Sequence, residues 1–393
     1  MRRRSKITII TVFLVSTVAR SVKSFALISP KLQHSRNLGA STSRNLGAST
    51  SRNLGASTSP YTNSEGDDLL EWSVDESDIT PISLIDGDHH DVLKEFSEMI
   101  EIYQASIVDR IHAQEPTSRF TSDSWTGDGS RGLTRVIQDG TVVDKGAVST
   151  SYINSGVLSP GRAKTMKARG VNVPDDGRYN AAALSLVLHT RNPHVPTFRS
   201  DVRMFQVLDS DGSVVDTWLG GGADLTPYVL YESDVSAFHS QLRSLCLEWD
   251  MDYDGMKKNC DEYFYIPCRK EHRGVGGIFF DDIPADGRGM GFVDGLVKSW
   301  MDVWLDHIVE ERQRVEWTER EKDWQLIRRG RYLEFNLLYD RGVAFGLMKE
   351  NPRTEGILVS APPEIKWRYN YEIEKGGNEE SLMKVLKEPR DWV

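Results

Sequence analysis

Gly220, Gly221 and Gly222 follow one another directly, and a single carboxylate, Asp224, comes two residues later ahead of Leu225-Thr226-Pro227. Few features constrain a chain more. Each glycine lacks a side chain to pack and loses more backbone entropy on ordering than any other residue. Three in a row therefore predict a loop that lets backbone approach a ligand or another segment closely, between a strand over 214–219 and a helix beginning near Asp234. In that loop Asp224 is either a helix cap or a chemical group held on a short turn.

The 393 residues suffice for one large domain or two ordinary ones. Residues 1–60 carry ten Lys or Arg and no Asp or Glu, so the net charge of −10 conceals +10 over this leader and −20 over the rest. A body so acidic argues against nucleic-acid binding, which depends on neutralising phosphates. An anionic ligand would need a local arginine cluster working against the overall field. Cys246, Cys260 and Cys268 are odd in number and irregularly spaced, which predicts buried thiols rather than a disulfide framework.

The leader has two parts. Arg2-Arg3-Arg4 precedes a short apolar run over 7–18, the pattern of a signal peptide over 1–24. Then Ser-Arg-Asn-Leu-Gly-Ala-Ser-Thr occurs three times, at 35–42, 43–50 and 51–58. This basic, hydroxyl-rich, acid-free composition is that of a transit peptide over 25–60. Together they resemble the two-part leaders of algae with complex plastids; secretion or mitochondrial import are the alternatives. Residues 61–90 are an acidic, turn-rich lead-in, and no membrane span is expected after the leader.

From Asp91 the pattern is that of a single folded domain over 91–393. Val92, Phe96, Met99, Tyr103, Ile107 and Ile111 recur at three- and four-residue spacing, which predicts an amphipathic helix. A loop is expected over 121–132, and Asp139-Gly140 marks a hairpin turn between strands. Further strands are expected over 147–154, 181–189, 198–208, 214–219 and 276–282. Helices are expected over 160–169, 235–249, 253–265, 292–312, 320–329 and 379–387, and three last strands over 332–339, 343–348 and 357–360. Hairpins interrupted by helix pairs predict an α+β fold, a large antiparallel sheet flanked by helices on both faces.

Known metal and hydrolase signatures are absent: Cys268 and His272 make two potential ligands, not a site. Arg273-Gly274-Val275-Gly276-Gly277 lacks the Lys-Ser/Thr of a phosphate-binding loop. What remains is a supply of arginines on separate elements: Arg191, Arg199 and Arg203, Arg269 and Arg273, Arg341 and Arg353. Their planar forks match carboxylates, so a ligand bearing several carboxylates is plausible, although any one arginine alone is more often a surface ion pair.

Residues 218–227, 273–282, 328–342 and the tail Pro389-Arg390-Asp391-Trp392-Val393 resemble the oxygen-dependent coproporphyrinogen III oxidases, in long blocks and in the right order. The resemblance implies oxidative decarboxylation of two propionates of coproporphyrinogen III to vinyl groups, with O2 consumed and CO2 and H2O2 released, giving protoporphyrinogen IX for haem and chlorophyll synthesis. It implies no organic cofactor, no required metal and a homodimer. It places Asp224 against the pyrrole N–H groups, and Arg203 and Arg273 in the lining of the site. Ser185, Asp201, Asn351, Pro352 and Arg353 fall at substrate contacts.

Three positions depart from the family pattern. Arg199 occupies the slot of the family's proton-donating histidine, with Asp201 two residues on where the family has asparagine, and Cys268 replaces a second histidine. Arginine stays protonated at ordinary pH and cannot shuttle a proton, so Arg199 is expected to clamp a propionate with Asp201 as its partner. The alternative is a catalytically impaired paralogue that binds a tetrapyrrole or regulates an active partner subunit.

Overall fold

The computed structural model describes residues 89–393, apart from 128, 159, 169, 172, 175–176 and 349–350. The signal-peptide, transit-peptide and lead-in expectations lie outside the described residues. The first helix, α1 (His89–Gln114), buries Phe96, Ile100, Tyr103, Ile107 and Ile111 along one stripe, as the spacing predicts. Each such side chain contributes roughly 1.5–3 kcal/mol on leaving water.

Seven strands form one antiparallel sheet in simple sequential order: β1 (Thr121–Gly127), β2 (Ser130–Gln138), β3 (Val143–Val157), β4 (Arg178–Thr190), β5 (Thr197–Leu208), β6 (Val214–Thr226) and β9 (Gly277–Pro284). A two-residue ribbon, β7 (Tyr265–Ile266) and β8 (Glu271–His272), stands apart. The Asp-Gly turn falls where expected, with Asp139 at φ 59° in the left-handed region that such turns require. Directly paired residues of antiparallel strands share a face, and the two faces differ sharply. Leu184, Leu186, Val202, Met204, Leu219 and Leu225 point to the main core. There α1, α3 (Glu232–Glu248) and α5 (Gly287–Val303) pack against them; α5 runs on through a π turn at Trp304–Val309 to Arg312.

Among the described residues the opposite face is covered at its margins. At one margin α2 (Pro160–Ala168) brings Met166 onto Phe205, Val207 and Trp218. At the other, Tyr332 of α6 (Glu319–Leu338) and Val359, just past α8 (Thr354–Leu358), pack on Val136, Ala147 and Val187. Helices thus lie on both faces of an antiparallel sheet, the α+β architecture the sequence predicts. The remaining helices are α4 (Tyr253–Tyr263), α7 (Arg341–Leu347) and α9 (Asn378–Lys387). Among the described residues no helix is long and apolar enough to cross a membrane.

Several local expectations are overturned. The glycine run is not a loop: Gly220–Gly222 lie inside β6, buried between β5 and β9. A Cβ on Gly220 would meet Asp281 Oδ1 at 2.6 Å and Arg203 Nε at 2.9 Å. Neighbouring strands fill the space side chains would take, which turns poor strand formers into required ones.

The 332–339 stretch is helix, not strand. A capping box of Thr318 and Glu321 starts α6, and the buried positions Arg328, Arg329, Tyr332, Phe335 and Asn336 follow helical spacing. Gly330, which reads as a stop, is instead where the Lys366 carbonyl approaches to within 2.8 Å of a would-be Cβ. The strands expected over 343–348 and 357–360 are likewise replaced by α7 and α8. The Ser- and Gly-rich stretch read as a loop is the β1–β2 hairpin. Its polar residues form an exposed edge strand, which needs no apolar alternation. Cys246 and Cys260 are buried as expected, but Cys268 is exposed, in the turn before β8.

Candidate functional site

The register of the sheet lines up two rows of residues across the face that the other described residues leave open at its centre. One runs Asp123, Thr134, Ser149, Ser185, Asp201, Gly222; the next runs Trp125, Gly132, Ser151, Ala183, Arg203, Gly220. Between Asp123 and Asp201, and between Trp125 and Arg203, every residue is Gly, Ala, Ser or Thr. Small side chains leave a shallow trough between α2 on one side and α6 and α8 on the other. Ser185 is exposed at its middle, and Ser149, Ser151 and Ala183 are half-buried.

At the β5–β6 end the floor meets a chain of alternating charges. Asp281 Oδ1 lies 3.7 Å from Arg203 Nη2, and Arg203 Nη1 donates to Asp201 Oδ2 at 2.6 Å. Asp201 Oδ1 is 2.6 Å from Arg199 Nη2, an ionic approach outside hydrogen-bond alignment. Arg199 Nη1 stands 3.9 Å from Asp224 Oδ1, and Asp224 Oδ2 accepts from Arg273 Nη2 at 2.6 Å. Period-two alternation along β5 puts Arg199, Asp201 and Arg203 on one face, and pairing with β6 sets Asp224 directly opposite Arg199.

Burial opposes the charge of Arg199, but Asp201 and Asp224 outweigh it and hold the guanidinium above its ordinary pKa. Arg203 and Arg273 are raised in the same way, by Asp201 and by Asp224 respectively. The three guanidinium groups therefore stay charged over the physiological range. In the same cluster Asp224 Oδ1, Arg199 Nη1 and Arg273 Nε are buried and have no hydrogen-bond partner among the described residues. Buried polar atoms are ordinarily paired, so these three stand out as bonding capacity that the described residues leave unused.

Arg273 is held in an aromatic box, its Cζ 3.9 Å from the ring centre of Phe264, 4.3 Å from Tyr332 and 4.9 Å from Phe335. Burial pushes the Tyr332 phenol up to about 12, with Arg273 pulling the other way, so it stays protonated. Tyr263 stacks on Phe279 at 4.6 Å beside it. The sequence reading missed this box. Its signal is the three-residue spacing of Tyr332 and Phe335, which a helix brings together and the strand expected over 332–339 sets on opposite faces. His189 is fully buried and its pKa lies well below the usual value, chiefly through desolvation. As a neutral ring it bridges the Thr197 hydroxyl and the Ser360 carbonyl, each at 3.0 Å, and pins α8 to the sheet.

The structure thus brings together Arg199, Asp201, Arg203, Asp224 and Arg273, with Ser185 next to Asp201 on the floor. It does not bring Arg353 to them. Arg353 pairs with Asp123 at 2.5 Å and lies 4.8 Å from the Trp125 ring, at the β1 end. That is four strands from β5, or about 19 Å at ~4.8 Å per strand. Asn351 is exposed and Pro352 half-buried beside it. Of the other arginines, Arg191 binds the Gly140 carbonyl, Arg269 is paired to Glu334, and Arg341 lies over Tyr263.

An antiparallel α+β sheet carrying a small-residue trough, with three charged arginines at one end and a fourth at the other, defines a protein suited to a broad polycarboxylate ligand. Residues 95–392 match the family described as coproporphyrinogen III oxidase. The chain is 41% identical over 322 residues to the oxygen-dependent coproporphyrinogen-III oxidase of Drosophila melanogaster, covering 80% of this chain and 82% of that protein. It is 39% identical over 327 residues to coproporphyrinogen-III oxidase 1, chloroplastic, of Arabidopsis thaliana, covering 81% and 83%. The chain belongs to the coproporphyrinogen III oxidase family.

Proposed function

We propose that this protein is an oxygen-dependent oxidase that converts two propionates of coproporphyrinogen III to vinyl groups in haem and chlorophyll synthesis, with O2 as co-substrate and neither an organic cofactor nor a metal. The observation that carries the reading is the small-residue trough ending in the Asp281–Arg203–Asp201–Arg199–Asp224–Arg273 chain. A tetrapyrrole rests on such a floor, its carboxylates reach the arginines, and its pyrrole N–H groups meet Asp224 Oδ1. Ser185 lies beneath the ring, and Asn351, Pro352 and Arg353 face the propionates at the far end.

In each conversion a carbon next to the carboxymethyl group gives up a hydride equivalent to O2. The carboxylate leaves as CO2, and the electron pair of its broken C–C bond becomes the vinyl π bond. With one proton, the reduced oxygen departs as H2O2. Arg199, which stays charged, stabilises the carboxylate and does not supply that proton. The test is aerobic turnover of reduced coproporphyrinogen III by the purified protein, read as vinyl-bearing porphyrin after oxidation. Product is expected; tight binding without product would sink the oxidase reading.

That second outcome is the signature of a catalytically impaired, tetrapyrrole-binding paralogue. The locking of Arg199 between Asp201 and Asp224, in the family's histidine slot, favours it. Activity appearing only in Arg199→His would establish it. Plastid delivery is supported by the composition of residues 1–60 and by the chloroplastic name of the Arabidopsis relative. A fluorescent fusion of that leader accumulating outside plastids would overturn it. The family resemblance supports a homodimer, which the mass of the protein in solution tests.

A further inference from the structure

The tail Pro389-Arg390-Asp391-Trp392-Val393 has no part in the site described above, yet the contacts it makes lead there. Arg390 pairs with Glu232 at 2.6 Å and lies 4.3 Å from the ring of Trp392. Ser236 donates to the Trp392 carbonyl and Arg243 to the Val393 carbonyl, at 3.1 and 2.7 Å. These bonds fasten the tail along α3 and lay the Trp392 indole on the His239 ring, 6.3 Å between centres and 26° from parallel.

His239 is fully buried and bonded through both nitrogens. Nδ1 lies 2.7 Å from the Tyr253 hydroxyl, and Nε2 lies 3.2 Å from the Val275 carbonyl. Desolvation, with help from Lys257, lowers its pKa to about 4, so the ring is neutral near pH 7. A carbonyl can only accept, so the ring proton sits on Nε2 and Nδ1 accepts from the tyrosine. Val275 belongs to the loop that presents Arg273. That loop is laced to the strand of Asp224: Val275 N–H donates to Leu225 O at 3.0 Å, and Leu225 N–H donates to Gly276 O at 3.1 Å. Gly276 sits at φ +82°, a conformation glycine adopts without strain.

We propose that Trp392 and His239 are positioning residues which, through the Val275 carbonyl, hold the Arg273 loop in register with Asp224. The assignment rests on the reading of the Asp224–Arg273 cluster as the substrate site. Packing alone would need only a ring-sized filler at position 239. Positioning needs a donor at the Nε2 position.

Two amides separate these cases. Glutamine places a donor near Nε2, whereas asparagine reaches only as far as Nδ1. In the full-length protein, His239→Asn is expected to speed hydrogen exchange of the 273–277 and 224–226 amides about tenfold and to lower kcat about tenfold, the scale of one lost hydrogen bond. His239→Gln is expected to stay within about twofold of the parent in both. Equal losses in the two variants would overturn the proposal.

Should His239→Asn fail to fold, Trp392→Ala beside Trp392→Phe asks the same question from the tail. Faster exchange reaching 273–277 in the alanine variant, restored by phenylalanine, supports positioning. A change confined to α3 and the tail refutes it. The exchange measurement needs no substrate. A parent protein that makes no vinyl product would therefore sink the functional reading while leaving the positioning question decided on its own data.

Discussion

Asp224 and Arg273 meet at 2.6 Å with both side chains almost wholly buried, and only one carboxylate oxygen is used in the contact. The second oxygen, Oδ1, accepts no hydrogen bond among the described residues and faces Arg199 Nη1 across 3.9 Å. A buried carboxylate anchored through one oxygen, with the other unpaired, keeps the acceptor that the proposed function requires for a pyrrole N–H.

Asp224→Asn keeps the shape and removes the charge. It is expected to lower kcat/KM about 10²–10³-fold, the scale of a lost acid–base or electrostatic partner in the transition state. Arg273→Lys keeps a charge but loses the planar fork that sits among Phe264, Tyr332 and Phe335, and is expected to cost about tenfold. Initial rates on coproporphyrinogen III measure both. Parent-like rates in Asp224→Asn would remove this carboxylate from the chemistry.

The trough floor makes a steric prediction. Ala183 is half-buried between Ser151 and Arg203, so Ala183→Trp would raise a wall across it. Affinity for coproporphyrin III, followed by fluorescence, is expected to fall at least about tenfold. Stability should change little, since substitutions away from the core are usually within about 0.5 kcal/mol. Unchanged affinity would place the ligand elsewhere.

Arg353 is half-exposed and its partner Asp123 more so, at the far end of that floor. On the proposed function an interaction there would hold substrate and transition state alike. Arg353→Ala is therefore expected to raise KM about three- to tenfold with kcat little altered. A fall in kcat at constant KM would contradict a role limited to binding.

Glu115, just past α1, is the fastening point of the β2–β3 hairpin. Its carboxylate accepts from the amides of Thr141, Val142 and Val143 and from the hydroxyls of Thr117 and Thr141. Burial alone would raise its pKa, but these donors lower it from 4.5 to about 2. A depressed folded-state value means the contribution is complete above pH 4.5 and is lost as pH falls toward about 2. Glu115→Gln is expected to cost about 1–3 kcal/mol at pH 7, with the gap to the parent narrowing below pH 4.5 in urea melts. A gap independent of pH would contradict the charged role.

Much of this protein is determined by sequence alone. Helix α1, the Asp139-Gly140 hairpin, and strands β4 and β5 follow from local periodicity and turn chemistry, which neighbouring residues settle between themselves. The resemblance in residues 218–227 and 273–282 points to Asp224 and Arg273 before any coordinates, and alternation along β5 puts Arg199, Asp201 and Arg203 together.

Tertiary structure decided the rest. Gly220–Gly222 form a strand only because Arg203, Asp281 and Phe280 arrive from adjacent strands to occupy the space their side chains would need. Tyr332 and Phe335 share a helix face only because α6 continues through Gly330, where the Lys366 carbonyl closes in. The trough floor exists because the register of six strands aligns small residues that lie up to about a hundred positions apart. Short-range preferences are weak compared with the packing of distant segments, and where the two compete the distant contact determines the conformation.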